Sequence, residues 1–145
     1  LRQDVANDFL QFLYLRRLML TRILSAKLIY EIGFYQGQDN KAEMYKEIME
    51  IATHSKASKH DYLFDIEPHL SSADSFKASI IEPQLRAYLI ENFDEQWWRV
   101  KEAGEFLVKI WRTGGRTSIK NISENYGFGG TDITKLSQTF EEVLG

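Results

Sequence analysis

The chain of 145 residues contains no cysteine. That absence removes a disulfide framework, a thiol nucleophile and any cysteine-based zinc site, and it fits a reducing cytosol, so a cytoplasmic protein is expected. Histidine is scarce: with three in all, a catalytic triad would have to use His54, His60 or His69, and none of them has an obvious partner. No charge of one sign dominates, and a net charge of -3 argues against a general polyanion binder, so no nucleic-acid partner is expected. No long apolar run survives uninterrupted. The longest, residues 9–35, is broken by Arg16, Arg17, Arg22, Lys27 and Glu31, and a membrane span rarely carries five charges near its centre. The opening "LRQDVANDF" is mixed in charge and does not read as a signal peptide. The zinc helix HExxH, the GxSxG elbow and a phosphate-binding glycine loop are all missing, and "GFGG" at 127–130 lacks the strand and the spacing of a dinucleotide site.

What remains is helical. Nineteen aromatic residues (nine Phe, seven Tyr, three Trp) imply large buried faces or a groove. Residues 4–36 read as one long helix. Phe9, Phe12, Leu13, Leu20, Ile23, Leu24, Leu28 and Ile32 recur at three- and four-residue steps, and Gly37 is a stop. Leu15, Leu18 and Met19 broaden the stripe, which predicts a central helix covered from more than one side. "GQDN" is a turn, and residues 41–53 form a second helix with Ala42, Tyr45, Ile48, Met49 and Ala52 on one side. A third helix, capped by Ser71 or Ser72, runs to about Asn92 with Pro83 inside it, which predicts a kink there. A short turn covers "EQWW". An amphipathic helix follows over 101–112, with Ala103, Phe106, Leu107, Ile110 and Trp111 inward. The tail gives a short helix from Ser118 and a last helix capped by Thr131 or Asp132. This last pair has a helix-turn-helix outline. Its second helix, however, offers only Lys135 as a base and ends in Glu141 and Glu142, which does not suit DNA reading. The predicted class is all-α: a multi-helix bundle in a single domain, with one long N-terminal helix and a kinked helix near Pro83.

Local chemistry concentrates in "DIEPHLSS". In an extended strand Asp65, Glu67 and His69 project to one side, so the three could meet a single cation. Pro68 and the loop setting weigh against this, and turn or capping carboxylates are the commoner use. Trp97, Trp98 and Trp111 could line a groove, but a double tryptophan such as Trp97 and Trp98 more often anchors the next helix in the core with one ring partly exposed. Arg86 and Arg99 are expected to pair with nearby carboxylates or to stack on the indoles.

The stretch "DIEPHLSSADSFKASIIEPQLRAYLIENFDEQWWRVKEAGEFLVKIW" carries an acid-x-acid-Pro start, then "EPQLRAYL", "FDEQWW" and "EAGEFLVKIW". With the earlier "FLYLRRLMLTRILSAKLIYEI", it resembles the C-terminal helical region of a bacterial and archaeal group. That group is related to the thimet oligopeptidase and oligoendopeptidase F class of zinc metallopeptidases. The resemblance covers most of the chain; its strongest marks are the Trp97 and Trp98 pair and the run from Glu102 through Ala103, Gly104, Glu105 and Phe106 to Leu107. It implies a C-terminal domain forming one wall of a peptide channel. The zinc and its HExxH helix would belong to an upstream part of the parent chain, and this chain alone would have no cofactor and no peptidase activity. The wall residues it implies are His69, Ser71, Ser75, Ser79, Trp97 and Trp98. Ser71 and Ser75 stand where active relatives place tyrosines, Ser79 where the group often has tryptophan, and His69 where a small residue is expected. These departures put transition-state stabilisation in doubt and leave a degenerate homologue open. The expected partners are the upstream parent segment, a peptide, or a second copy meeting apolar surface that a missing partner would leave bare. The alternative is a self-contained helical interaction or scaffold module.

Overall fold

A computed structural model describes residues 3–145. Its helices are α1 (Gln3–Tyr35), α2 (Lys41–Thr53), α3 (Ser71–Phe93), α4 (Lys101–Trp111), α5 (Ile119–Tyr126) and α6 (Thr134–Leu144), joined by turns and short 3-10 segments. The fold is all-α, with no strand among the described residues. No helix among them is long and apolar enough to cross a membrane. The chain packs as two compact units. One runs to Phe76 and includes Phe140–Gly145; the other is Lys77–Thr139.

The first unit is built on a helical hairpin. Gly37 (φ 79°) and Asn40 (φ 55°) take left-handed backbone and turn the chain between α1 and α2. The two helices approach closely at Gly33, where an added Cβ would lie 2.8 Å from Gln38 Oε1 and 3.0 Å from Met44 Sδ. Ala26 and Tyr30 of α1 pack on Tyr45, Met49 and Ala52 of α2, flanked by Ile23, Phe34 and Ile48. The Tyr30 and Tyr45 rings meet edge-on with centroids 5.1 Å apart. Burying each such large side chain contributes about 1.5–3 kcal/mol. At the far end the Arg22 guanidinium donates from Nε to the Ala52 carbonyl (2.7 Å) and from Nη2 to the Ile51 carbonyl (2.9 Å). It thereby satisfies the last carbonyls of α2 and places a cation at the negative end of that helix. Its Nη2 also lies 2.8 Å from His54 Nε2. A guanidinium only donates, so this imidazole nitrogen accepts and the other carries the proton.

Beyond Arg22 towards its N-terminus, α1 departs from expectation. Phe9 (61%), Phe12 (61%), Leu13 (40%) and Leu20 (45%) are exposed rather than buried in a core. The reason is length: α2, with 13 residues, covers only the C-terminal half of a 33-residue helix.

The second unit gathers an aromatic cluster. Tyr88 of α3 stacks on Phe106 of α4 at 5.1 Å and meets Phe128 at 5.6 Å, while Tyr126 sits edge-on to Phe106 at 5.2 Å. Ile80, Ile81, Leu89, Ala103, Phe128 and Leu136 are buried. Pro83 lies inside α3 and is buried; it has no amide to donate to the preceding turn, consistent with the kinked helix expected there. The short helix expected from Ser118 is α5, and Ser118 caps it, accepting from Asn121 N at 3.2 Å. The Asp132 carboxylate accepts from the amide (2.9 Å) and the hydroxyl (2.7 Å) of Thr134 at the start of α6. Trp111 was expected inward but is 69% exposed. It is the last residue of α4 and sits roughly 80° around the helix from fully buried Ala103.

Candidate functional site

The stretch that promised chemistry, residues 65–72, is a fastened loop. Lys27 on α1 reaches it with Nζ 2.8 Å from Glu67 Oε1 and 3.7 Å from Asp65 Oδ1. The other oxygen of Asp65 accepts from the Tyr45 hydroxyl, and the other oxygen of Glu67 accepts from the Ser71 hydroxyl. Glu31, one turn after Lys27 and fully buried, accepts from the Glu67 backbone N–H at 2.9 Å and from the buried Ser72 hydroxyl. Tyr30 donates to the Tyr62 carbonyl (2.7 Å) and Tyr35 to the Glu67 carbonyl (3.2 Å). Four side chains of the hairpin, Lys27, Glu31, Tyr35 and Tyr45, therefore hold the loop, Tyr30 fastens the segment just before it, and two carboxylates converge on one ammonium.

The titration behaviour follows from this geometry. Burial alone would lower Lys27, but the hydrogen bond to Glu67 and the charges of Asp65, Glu67 and Glu31 together outweigh it and hold its pKa above 10.5. Hydrogen bonds from Lys27 and then Ser71 hold Glu67 below 4.5. Burial, reinforced by Tyr62 and Asp65, pushes Tyr30 up to about 12, and burial with the bond to Asp65 raises Tyr45 further still.

The three residues considered for a metal therefore differ in role. Asp65 and Glu67 face Lys27, whose ammonium occupies the place between them that a cation would take. His69 is exposed, with left-handed backbone (φ 64°), at the bend entering α3. Among the described residues no group of three or more His, Asp and Glu side chains could hold a metal ion.

Of the expected wall residues, Ser71 is tied to Glu67; Ser75 is exposed and Ser79 half-buried along α3. Trp97 and Trp98 meet edge-on at 5.9 Å in a 3-10 turn, Trp97 half-buried and Trp98 64% exposed. Arg86 pairs with Glu82 Oε1 at 2.6 Å.

None of those six lines the cleft of about 360 Å³ found in the second unit. Ala87, Tyr88 and Phe128 give it apolar walls, while Glu91, Asp132 and Lys135 bring charge. Backbone and hydroxyl bonds from Thr134 hold Asp132 below 3.8, so it is ionised at neutral pH. One buried amide sets the shape of the 129–132 loop. Gln84 Oε1 accepts from Gly130 N at 2.6 Å, and its Nε2 donates to the carbonyls of Asp132 (2.8 Å), Gly130 (3.2 Å) and Ile80 (3.2 Å). Gly129 has φ 63°, and a Cβ there would lie 1.5 Å from Gln84 Oε1. The position therefore requires glycine twice over. Gln84 left only a faint signal in the sequence, an amide among the apolar residues Ile80, Ile81 and Leu89 that α3 buries.

No protein family, curated protein or solved structure matches this chain.

Proposed function

We propose that this chain is a non-catalytic helical domain of a metallopeptidase-like protein, holding a peptide segment in the cleft of its second unit. The observation that carries the binding role is the cleft itself. It lies on Gln84, Ala87, Tyr88 and Glu91, and the first three fall within the "EPQLRAYL" run that resembles the peptidase group. Its apolar walls suit an aliphatic or aromatic side chain, and its ionised Asp132, with Glu91, suits a backbone amide N–H or a basic side chain beside it. A non-catalytic role is supported by Asp65, Glu67, Ser71 and Tyr45, whose polar atoms bind one another and Lys27 and leave the loop fastened rather than reactive. Zinc, on this reading, belongs to the parent's upstream segment, which is also the domain's partner.

The test is a titration of the isotopically labelled chain with short extended peptides carrying one large apolar side chain, read by amide shifts. Shifts confined to Tyr88, Phe128, Gly129 and their neighbours, weakened by Glu91→Lys, are the expected result. Shifts elsewhere, or none, would sink the cleft assignment, and chelator-sensitive cleavage by the chain alone would sink the non-catalytic one. The alternative reading, a self-contained interaction module, is favoured by a separate observation: the bare N-terminal half of α1.

A further inference from the structure

α1 carries one seam along its length. Val5, Phe9, Phe12, Arg16, Met19, Ile23, Ala26 and Tyr30 alternate steps of four and three residues, which keeps them on one side of a helix. From Ile23 onward the seam is packed against α2. The packing stops at the level of Arg22, which binds the last carbonyls of α2. Above that level the same side is bare: Val5 is 50% exposed, Phe9 and Phe12 61% each and Met19 39%, flanked by Leu13 (40%), Leu15 (59%) and Leu20 (45%). On the opposite side Tyr14, Arg17, Leu18 and Thr21 are half-buried or buried, while Leu10, nearer the N-terminus, is 44% exposed.

We infer that this bare half of the seam pairs with the same segment of a second copy, antiparallel, about a two-fold axis at Phe12. Three observations select that occupant. The first is continuity: a helix laid here extends an interface that α2 already makes along the same seam, over about 25 Å at 1.5 Å per residue. The second is area. At roughly 150–200 Å² per large apolar side chain, the exposed fractions amount to on the order of 600 Å² per copy, and about 1,200 Å² for a pair is where specific interfaces begin. The third is charge. Arg16 sits in the seam and is exposed. A parallel pair in register would set Arg16 against Arg16. The antiparallel pair centred on Phe12, the midpoint of Val5 and Met19, separates the two arginines and brings each level with the partner's Asp8, an exposed acid. The same register sets Val5 against the partner's Met19 and Phe12 against itself. This pairing is independent of the cleft and of any peptide bound there.

The experiment uses the full chain, whose lack of cysteine makes single-cysteine variants unambiguous. Sedimentation over a micromolar to millimolar series should show a dimer, and Phe12→Glu should leave a monomer with unchanged helical circular dichroism. Under mild oxidation Phe12→Cys should cross-link to itself, and Val5→Cys should cross-link to Met19→Cys but not to itself. A monomer at every concentration, or a dimer indifferent to Phe12→Glu, would overturn the inference. Val5→Cys linking to itself would overturn the antiparallel arrangement.

Discussion

Each unit fastens one irregular loop, and the two do it with opposite chemistry. In the first, residues 65–72 are held by charge: Lys27 between Asp65 and Glu67, and buried Glu31 receiving an amide and a hydroxyl. In the second, residues 129–132 are held by the neutral amide of Gln84. A carboxamide presents donor and acceptor together, so one side chain can satisfy both kinds of backbone group without changing with pH. A charged fastening is selective for its partners but changes with pH, here through Lys27 and Glu67. The lesson for function is that a cluster of acids beside a histidine is not by itself a reactive centre: here the acids close a loop.

The largest break in this comparison should come from Glu31→Ala. It leaves the buried Ser72 hydroxyl and the Glu67 amide without their acceptor, and each unsatisfied buried group costs about 1–3 kcal/mol. A loss of about 3 kcal/mol in urea unfolding is expected, with the first unit affected first. Next is Gly129→Ala in the second unit. Left-handed backbone and the collision with Gln84 should together cost about 2 kcal/mol, or more if the Gln84 bonds are lost. A loss below about 0.5 kcal/mol would mean that Gln84 does not hold that loop.

A gentler probe is pH. Tyr30, Tyr45 and Lys27 have folded pKa values above their ordinary 10.0, 10.0 and 10.5. Each therefore contributes stability that is fully present below that ordinary value and lost as pH rises through the folded one. Glu67 is held below 4.5, so its contribution is present above 4.5 and lost as pH falls through the lower, folded value. Denaturation followed from pH 3 to 12 should show a plateau between about 5 and 10, with the alkaline loss starting near 10. Substituting Tyr45→Phe should weaken that alkaline limb.

Much of the fold was legible because helices announce themselves locally. The apolar period of α2, the start of α5 at Ser118 and the stop at Gly37 each need only a few neighbouring residues. The fastened loops were not legible, because their partners lie far along the chain: 40 residues from Lys27 to Glu67, 41 from Glu31 to Ser72, 46 from Gln84 to Gly130. Lys27 and Glu31 did leave a trace, a base and an acid four residues apart in an apolar helix, but as a sequence they served only to exclude a membrane span. The N-terminal half of α1 was misplaced for a related reason. Periodicity shows which side of a helix is apolar and does not show whether a neighbour is long enough to cover it.

The most direct test of the contrast is site-resolved amide hydrogen exchange at Glu67 and Gly130, measured at neutral pH and again in acid, below the lowered folded value of the Glu67 carboxyl, and corrected for intrinsic rates. The charged fastening predicts that Glu67 loses protection in acid while Gly130, bonded to neutral Gln84, keeps it. Equal loss at both amides, or undiminished protection at Glu67, would contradict the claim that charge holds the first loop.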